Sequence, residues 1–112
     1  LCDHPTKFDP DDLYASFTFD ERAYRHRCVE TWAMCVPWTG FPLAELIAKV
    51  GPKAGATHVR FETFHRPEEA PNVGVSPEFP WPYTEGLTLA EATNPLAYLA
   101  TGIFGEPLPK QH

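Results

Sequence analysis

Thirteen prolines stand in a chain of 112 residues, more than twice the roughly 5% usage of an average protein, and no other feature restricts the fold as much. Each proline lacks a backbone N–H and holds φ near one value, so it cannot donate to a helix or a sheet ladder. Long regular elements are therefore few, and loops dominate. The prolines crowd most tightly from Arg66 to Pro82, where Pro67, Pro71, Pro77, Pro80 and Pro82 are joined by a single glycine, Gly74, and no apolar period survives. The expectation there is a long ordered loop, and loops of that length in compact domains carry function or are disordered.

Between the prolines the chain is built to pack. Hydrophobic residues make up 43%, aromatics 13% and charged residues 21%, the balance of a globular protein rather than a disordered one. The length suits one domain, taken as 1–112, with a modest core. A net charge of -6 with scattered Lys and Arg leaves no basic face for phosphate backbones, which excludes nucleic acid as a partner. No apolar run approaches the roughly 18 to 20 residues of a membrane span, and the N-terminus lacks the pattern of a signal peptide. Leu1 at the start and Pro107 to His112 at the end give the chain the look of a domain truncated at both ends. Cys2, Cys28 and Cys35 are odd in number and form no CxxC pair. Neither a disulfide framework nor a four-thiolate zinc site follows, and at least one thiol is expected to be unpaired.

Local signals suggest where elements fall. Pro10-Asp11-Asp12 after Asp9 is a short helix start, with a capping carboxylate and acidic residues in the first turn. Ala23 to Val36 alternates in part and predicts extended structure, with Cys28 in or at the end of a strand. Pro37-Trp38-Thr39-Gly40-Phe41 has turn chemistry. Leu43, Leu46, Ile47 and Val50 fall at helical spacing, with Pro42 at the first helical position and Gly51-Pro52 as the stop. Thr57 to Phe64 sets Val59, Phe61 and Thr63 against His58, Arg60 and Glu62, a half-buried strand. Thr88 to Ala92 is a short helical turn, and Pro95 to Phe104 a helix end followed by a strand. The sum is a mixed α and β fold.

Cys28 is the residue with the most chemical promise. It lies in Arg25-His26-Arg27-Cys28-Val29-Glu30, among cations that favour thiolate, the form that binds a soft metal. If the segment is extended, the period of two puts Cys28 and Glu30 on one face and turns His26 and Arg27 to opposite sides. By the same residue-level reasoning a lone cysteine in a strand is also a small buried hydrophobe. A zinc site from His26, Cys28 and another His is disfavoured, since ligands two apart on a strand are not a zinc pattern. Trp38 is expected in the core, while Phe79, Trp81 and Tyr83 offer an aromatic surface for a substrate side chain.

The whole stretch Tyr24-Arg25-His26-Arg27-Cys28-Val29-Glu30-Thr31-Trp32-Ala33-Met34-Cys35-Val36-Pro37-Trp38-Thr39-Gly40-Phe41-Pro42-Leu43 closely resembles the molybdenum-binding segment of the periplasmic protein-methionine-sulfoxide reductases, a branch of the sulfite oxidase superfamily. The resemblance continues in Phe61-Glu62-Thr63, in Pro82 to Leu87 and in Asn94-Pro95-Leu96, and ends at Leu108 to His112. It implies an α+β fold: a partial sulfite-oxidase-like molybdopterin-binding domain, loop-rich and mixed α/β. The implied cofactor is molybdenum-molybdopterin. Cys28 would supply the single protein sulfur to molybdenum, beside the dithiolene and oxygen ligands. Glu30 matches a carboxylate near the metal's oxygen ligand, Thr63 a threonine that contacts the cofactor, and His112 an Asn or His that holds it. The implied activity is reduction of methionine sulfoxide, in oxidised proteins and free. A haem-containing membrane subunit is the implied electron donor, and the periplasm the implied location.

Three departures qualify the resemblance. The loop from Thr63 to Tyr83 is shorter than the family's and lacks its glycine run. Cys35 stands where an apolar residue is usual and is expected to be a core thiol. The family's further cofactor anchors, an asparagine and a tyrosine upstream and an arginine and a Gly-x-Lys stretch downstream, have no counterpart here. Two other readings stay open: another enzyme of the superfamily, or a cofactor-free, non-catalytic module.

Overall fold

The computed structural model describes residues 1–71, 73, 75 and 78–109. Helix α1 spans Pro10–Ser16. The Asp9 carboxylate accepts from the Asp12 N–H at 2.8 Å, and Pro10 occupies the first turn, where its missing donor has no consequence. The helix stops at Phe17, whose backbone turns extended.

Strands β1 (Asp20–Arg27) and β2 (Ala33–Pro42) form an antiparallel hairpin in register from Asp20 opposite Gly40 to Arg27 opposite Ala33. Helix α2 (Leu43–Val50) follows at once. Pro42 is its cap rather than its first residue, and Gly51 ends it at φ 63°, a left-handed value suited to glycine. Strands β3 (His58–Glu62) and β4 (Thr84–Thr88) make a separate two-stranded antiparallel sheet. Helix α3 (Leu89–Ala92) is a single turn held by a reciprocal cap, the Thr88 hydroxyl with the Glu91 N–H and the Glu91 carboxylate with the Thr88 N–H. Strand β5 (Tyr98–Ile103) then pairs with β2, and β6 (Glu106–Pro107) with β5, giving the larger sheet the order β1-β2-β5-β6.

The predicted half-buried strand is β3, with Val59 and Phe61 turned inward and His58, Arg60 and Glu62 exposed. Its inward face and Leu87 of β4 pack on α2, where Leu43 and Ile47 join Ala92 of α3 and Leu99 of β5. The helical period of α2 thus buries one stripe between two sheets. A second nucleus is aromatic. Phe41 of β2 is 1% exposed and lies parallel to Phe17 at 4.2 Å, with Phe19 edge-on at 5.2 Å. The segment after α1 is therefore pinned to the back of β2 by ring contacts.

One of the expectations that the structure overturns lies in β2. Pro37 to Phe41 is not a turn but the body of β2. β2 is flanked by β1 and β5, and the ladder bonds of two neighbours outweigh local turn chemistry. Pro37 lacks a donor, yet its carbonyl accepts from the Phe104 N–H at 3.1 Å. Gly40 serves a different need from a turn. The register with β5 shifts between Thr39 and Gly40, and a Cβ on Gly40 would lie 2.0 Å from the Leu99 carbonyl oxygen. Only glycine lets the two backbones come this close.

Candidate functional site

Cys28 is the first residue beyond β1, as the sequence predicts. Its carbonyl accepts from the Thr31 N–H and its own N–H donates to the Trp32 carbonyl, both at 3.0 Å. Val29, Glu30 and Thr31 are thereby closed into a tight hairpin loop, with Thr31 left-handed at φ 74°. The thiol is free and half-buried.

The loop corrects the expected pairing of Cys28 with Glu30. An extended chain would put both on one face; the turn breaks the period of two between them. The Glu30 carboxylate instead accepts from the Trp32 indole N–H at 3.3 Å. Trp32 thus joins the candidate site through Glu30, a link that sequence reasoning missed and whose only signal was an indole two positions after a carboxylate.

From Trp32 a row of rings runs down one face of the hairpin. The His26 ring lies 5.6 Å from Trp32 and 5.7 Å from Trp38, and Tyr24 meets Tyr98 at 5.8 Å. Trp38 is buried, as expected of a core residue. The row borders a groove of about 390 Å³ that reaches Arg27, the residue before Cys28. His26 and Arg27 are both exposed and both line the groove, and it is the His26 ring that meets the aromatic row.

The far end of the hairpin is clamped to β5. The Tyr98 hydroxyl donates to the Asp20 carboxylate at 2.8 Å, and the Arg22 guanidinium donates to Asp20 at 2.9 Å and to the Pro95 carbonyl at 3.0 Å while lying over the Tyr98 ring. The Tyr98 hydroxyl, with Arg22 adding to it, holds the Asp20 carboxyl below its ordinary value. Burial, and then the bond to Asp20, push the Tyr98 phenol up. The clamp ties β1 to β5 across β2 and holds Tyr98, which lines the groove.

Thr63 lies just past β3, in the smaller sheet. Its N–H donates to the Tyr83 carbonyl at 3.0 Å, and its hydroxyl reaches the same oxygen at 3.4 Å. Thr63, Phe61, Glu62, Tyr83 and Glu85 line a cavity of about 150 Å³, which shares no residue with the groove beside Cys28. Phe79, Trp81 and Tyr83 cluster here too: Phe79 lies 4.7 Å from Trp81 and stacks on Tyr83 at 5.9 Å. The Tyr83 hydroxyl donates to Glu85, which raises the phenol's pKa. His112 lies outside the described residues. Cys35, expected in the core, is exposed, because at its place in β2 it faces Arg25 of the edge strand rather than a packed layer.

Among the described residues no group of three or more His, Cys, Asp or Glu side chains converges. The half-buried Cys28 thiol is one soft donor, and a soft donor suits a metal that brings its other ligands with it. The arrangement fits a molybdenum dithiolene in that respect.

The family model for the oxidoreductase molybdopterin binding domain matches residues 1–112. The chain belongs to that family. Its similar relatives include proteins named protein-methionine-sulfoxide reductase catalytic subunit MsrP. That of Gluconobacter oxydans is 49% identical over 113 residues, covering 100% of this chain and 36% of the relative. That of Burkholderia mallei is 47% identical over 109 residues, covering 97% and 33%. That of Xanthomonas campestris pv. campestris is 43% identical over 111 residues, covering 99% and 34%. The chain therefore spans about a third of the length of the curated relatives it matches. The mixed α and β architecture agrees with a partial sulfite-oxidase-like domain. No described helix is long and apolar enough to cross a membrane.

Proposed function

We propose that this chain is the metal-ligand segment of a molybdopterin-dependent enzyme that reduces methionine sulfoxide in proteins, and that 1–112 is one partial domain of it. The observation that carries the reading is the free, half-buried Cys28 thiol held at the closed end of the β1–β2 hairpin. The reductase names of three relatives, each 43% or more identical over nearly the whole chain, support it over other chemistries of the superfamily.

In this reading Cys28 is the protein sulfur ligand to molybdenum. Glu30, whose carboxylate accepts from the Trp32 N–H, would hold a proton near the bound group. Thr63 would help to hold the cofactor through its hydroxyl, and His112 through a ring nitrogen. Bound there, the cofactor supplies the two-electron chemistry. Overall, the sulfoxide takes up two electrons and two protons and leaves as sulfide and water. The chain's task is positional: two backbone bonds fix the Cys28 main chain, and the Asp20–Arg22–Tyr98 clamp fixes the strand that leads to it. Electrons come from a haem-containing membrane subunit and the setting is the periplasm; both belong to this proposal.

The test is molybdenum and pterin content in protein expressed in a host that makes the cofactor, wild type against Cys28→Ala. Stoichiometric metal that disappears in the variant is the expected result. Metal retained without Cys28 overturns the ligand assignment, and none in either protein means that cofactor binding belongs to the longer parent, of whose relatives this chain spans about a third.

A further inference from the structure

The hairpin closes between Cys28 and Glu30, so strand alternation cannot hold the two groups in a fixed relation. Trp32 touches both. Its carbonyl accepts from the Cys28 N–H at 3.0 Å, and its indole N–H donates to the Glu30 carboxylate at 3.3 Å across the turn at Thr31. Among the described residues the Glu30 carboxylate has no other hydrogen bond and no ion pair, although Arg25 and Arg27 are near it in the chain.

The indole is itself held. Its ring meets His26 at 5.6 Å, and the His26 ring meets Trp38 edge-on at 5.7 Å. Trp38 is 8% exposed and sits in the body of β2, opposite Arg22 of β1 and Ile103 of β5. The rings therefore lead from a buried anchor out to the loop. Glu30 by contrast is exposed. A glutamate on a loop has several free torsions, and without a partner its carboxylate spreads over many positions. A donor on a held ring selects among them, and a reacting group gains from orientation as well as from nearness.

We propose that Trp32 is the positioning residue of the Cys28 site. Its carbonyl fixes the Cys28 main chain, its indole N–H fixes the Glu30 carboxylate, and one residue thus sets the relation between them. This rests on the reductase reading. It gives Trp32 no contact with substrate or cofactor: the indole acts through Glu30.

The experiment uses the whole enzyme, cofactor-free and loaded, as wild type, Trp32→Phe, Glu30→Ala and the double variant. Phenylalanine keeps a ring against His26 and the backbone carbonyl, and removes the indole donor. In cofactor-free protein with isotope-labelled tryptophan, the Trp32 indole N–H resonance is the one that Trp32→Phe abolishes. Glu30→Ala should move it upfield, as loss of a hydrogen bond does, and leave that of Trp81 in place. In the loaded enzyme Trp32→Phe should lower kcat on methionine sulfoxide about three- to tenfold per bound molybdenum, the loss of one hydrogen bond, with KM unchanged. In the Glu30→Ala background the same substitution should leave the residual kcat as it is, because the two changes remove one interaction. An indole resonance indifferent to Glu30→Ala, or a kcat loss of equal size with and without Glu30, overturns the assignment of Trp32. Loaded wild-type enzyme that reduces no sulfoxide overturns the reductase reading instead, and the indole resonance still decides whether Trp32 holds Glu30.

Discussion

Thr31 holds φ at 74°, where a Cβ crowds the following carbonyl at about 1–2 kcal/mol and a β-branched residue is an outlier. Its side chain is exposed, and its hydroxyl makes no hydrogen bond among the described residues. The two 3.0 Å backbone bonds that close the loop do not depend on it. Thr31→Gly therefore removes the steric penalty and no contact. It adds freedom to the unfolded chain worth about 0.5–1 kcal/mol, so the net gain is about 0.5–1 kcal/mol. With a urea slope of about 1–3 kcal/mol per molar, the unfolding midpoint rises by roughly 0.2–1 M. Thr31→Asn is the control, because asparagine tolerates the left-handed region without glycine's extra freedom, and its gain should equal or exceed that of glycine. Tryptophan fluorescence follows the transition, Trp32 lying at the loop itself. If neither variant unfolds at higher urea than wild type, the loop is not strained as the backbone angle implies, and the argument fails.

Gly40→Ala drives a Cβ to 2.0 Å from the Leu99 carbonyl oxygen; backbone must move, and the loss should reach at least about 2 kcal/mol in the same urea assay. A midpoint within error of wild type would mean that β2 and β5 do not approach as described. Tyr98→Phe removes the hydroxyl that chiefly lowers the Asp20 pKa. A depressed carboxyl stabilises the fold above its ordinary value of 3.8 and loses that contribution as pH falls through the lowered folded value. The raised Tyr98 phenol acts in the opposite sense: its contribution is present below 10.0 and fades as pH rises through the higher folded value. Both limbs of the melting temperature against pH should flatten in the variant, and an unaltered profile would show that the clamp does not couple to folding.

Where an element depends on neighbours in the chain, the sequence was enough. Asp9 before Pro10 caps α1, the period of Leu43, Leu46, Ile47 and Val50 carries α2, alternation around Val59 and Phe61 carries β3, and Thr88 with Glu91 caps α3. These signals act within a turn or two, so they survive without knowledge of the fold. The Cys28 position, at a strand end among cations, was legible for the same reason, and the wording from Tyr24 to Leu43 pointed to the molybdopterin family to which the chain belongs.

Tertiary structure alone decided what depends on distant partners. Pro37 to Phe41 carries turn chemistry, yet hydrogen bonding to β1 and β5 on either side makes it strand. Cys28 and Glu30 parted because the hairpin closes between them, which depends on Arg27 finding Ala33 rather than on any local preference of Thr31 for a left-handed turn. Cys35 faces water because β1 is an edge with no layer behind that end of it. A strand's hydrogen-bonding edge becomes free or filled only when every other strand has taken its place.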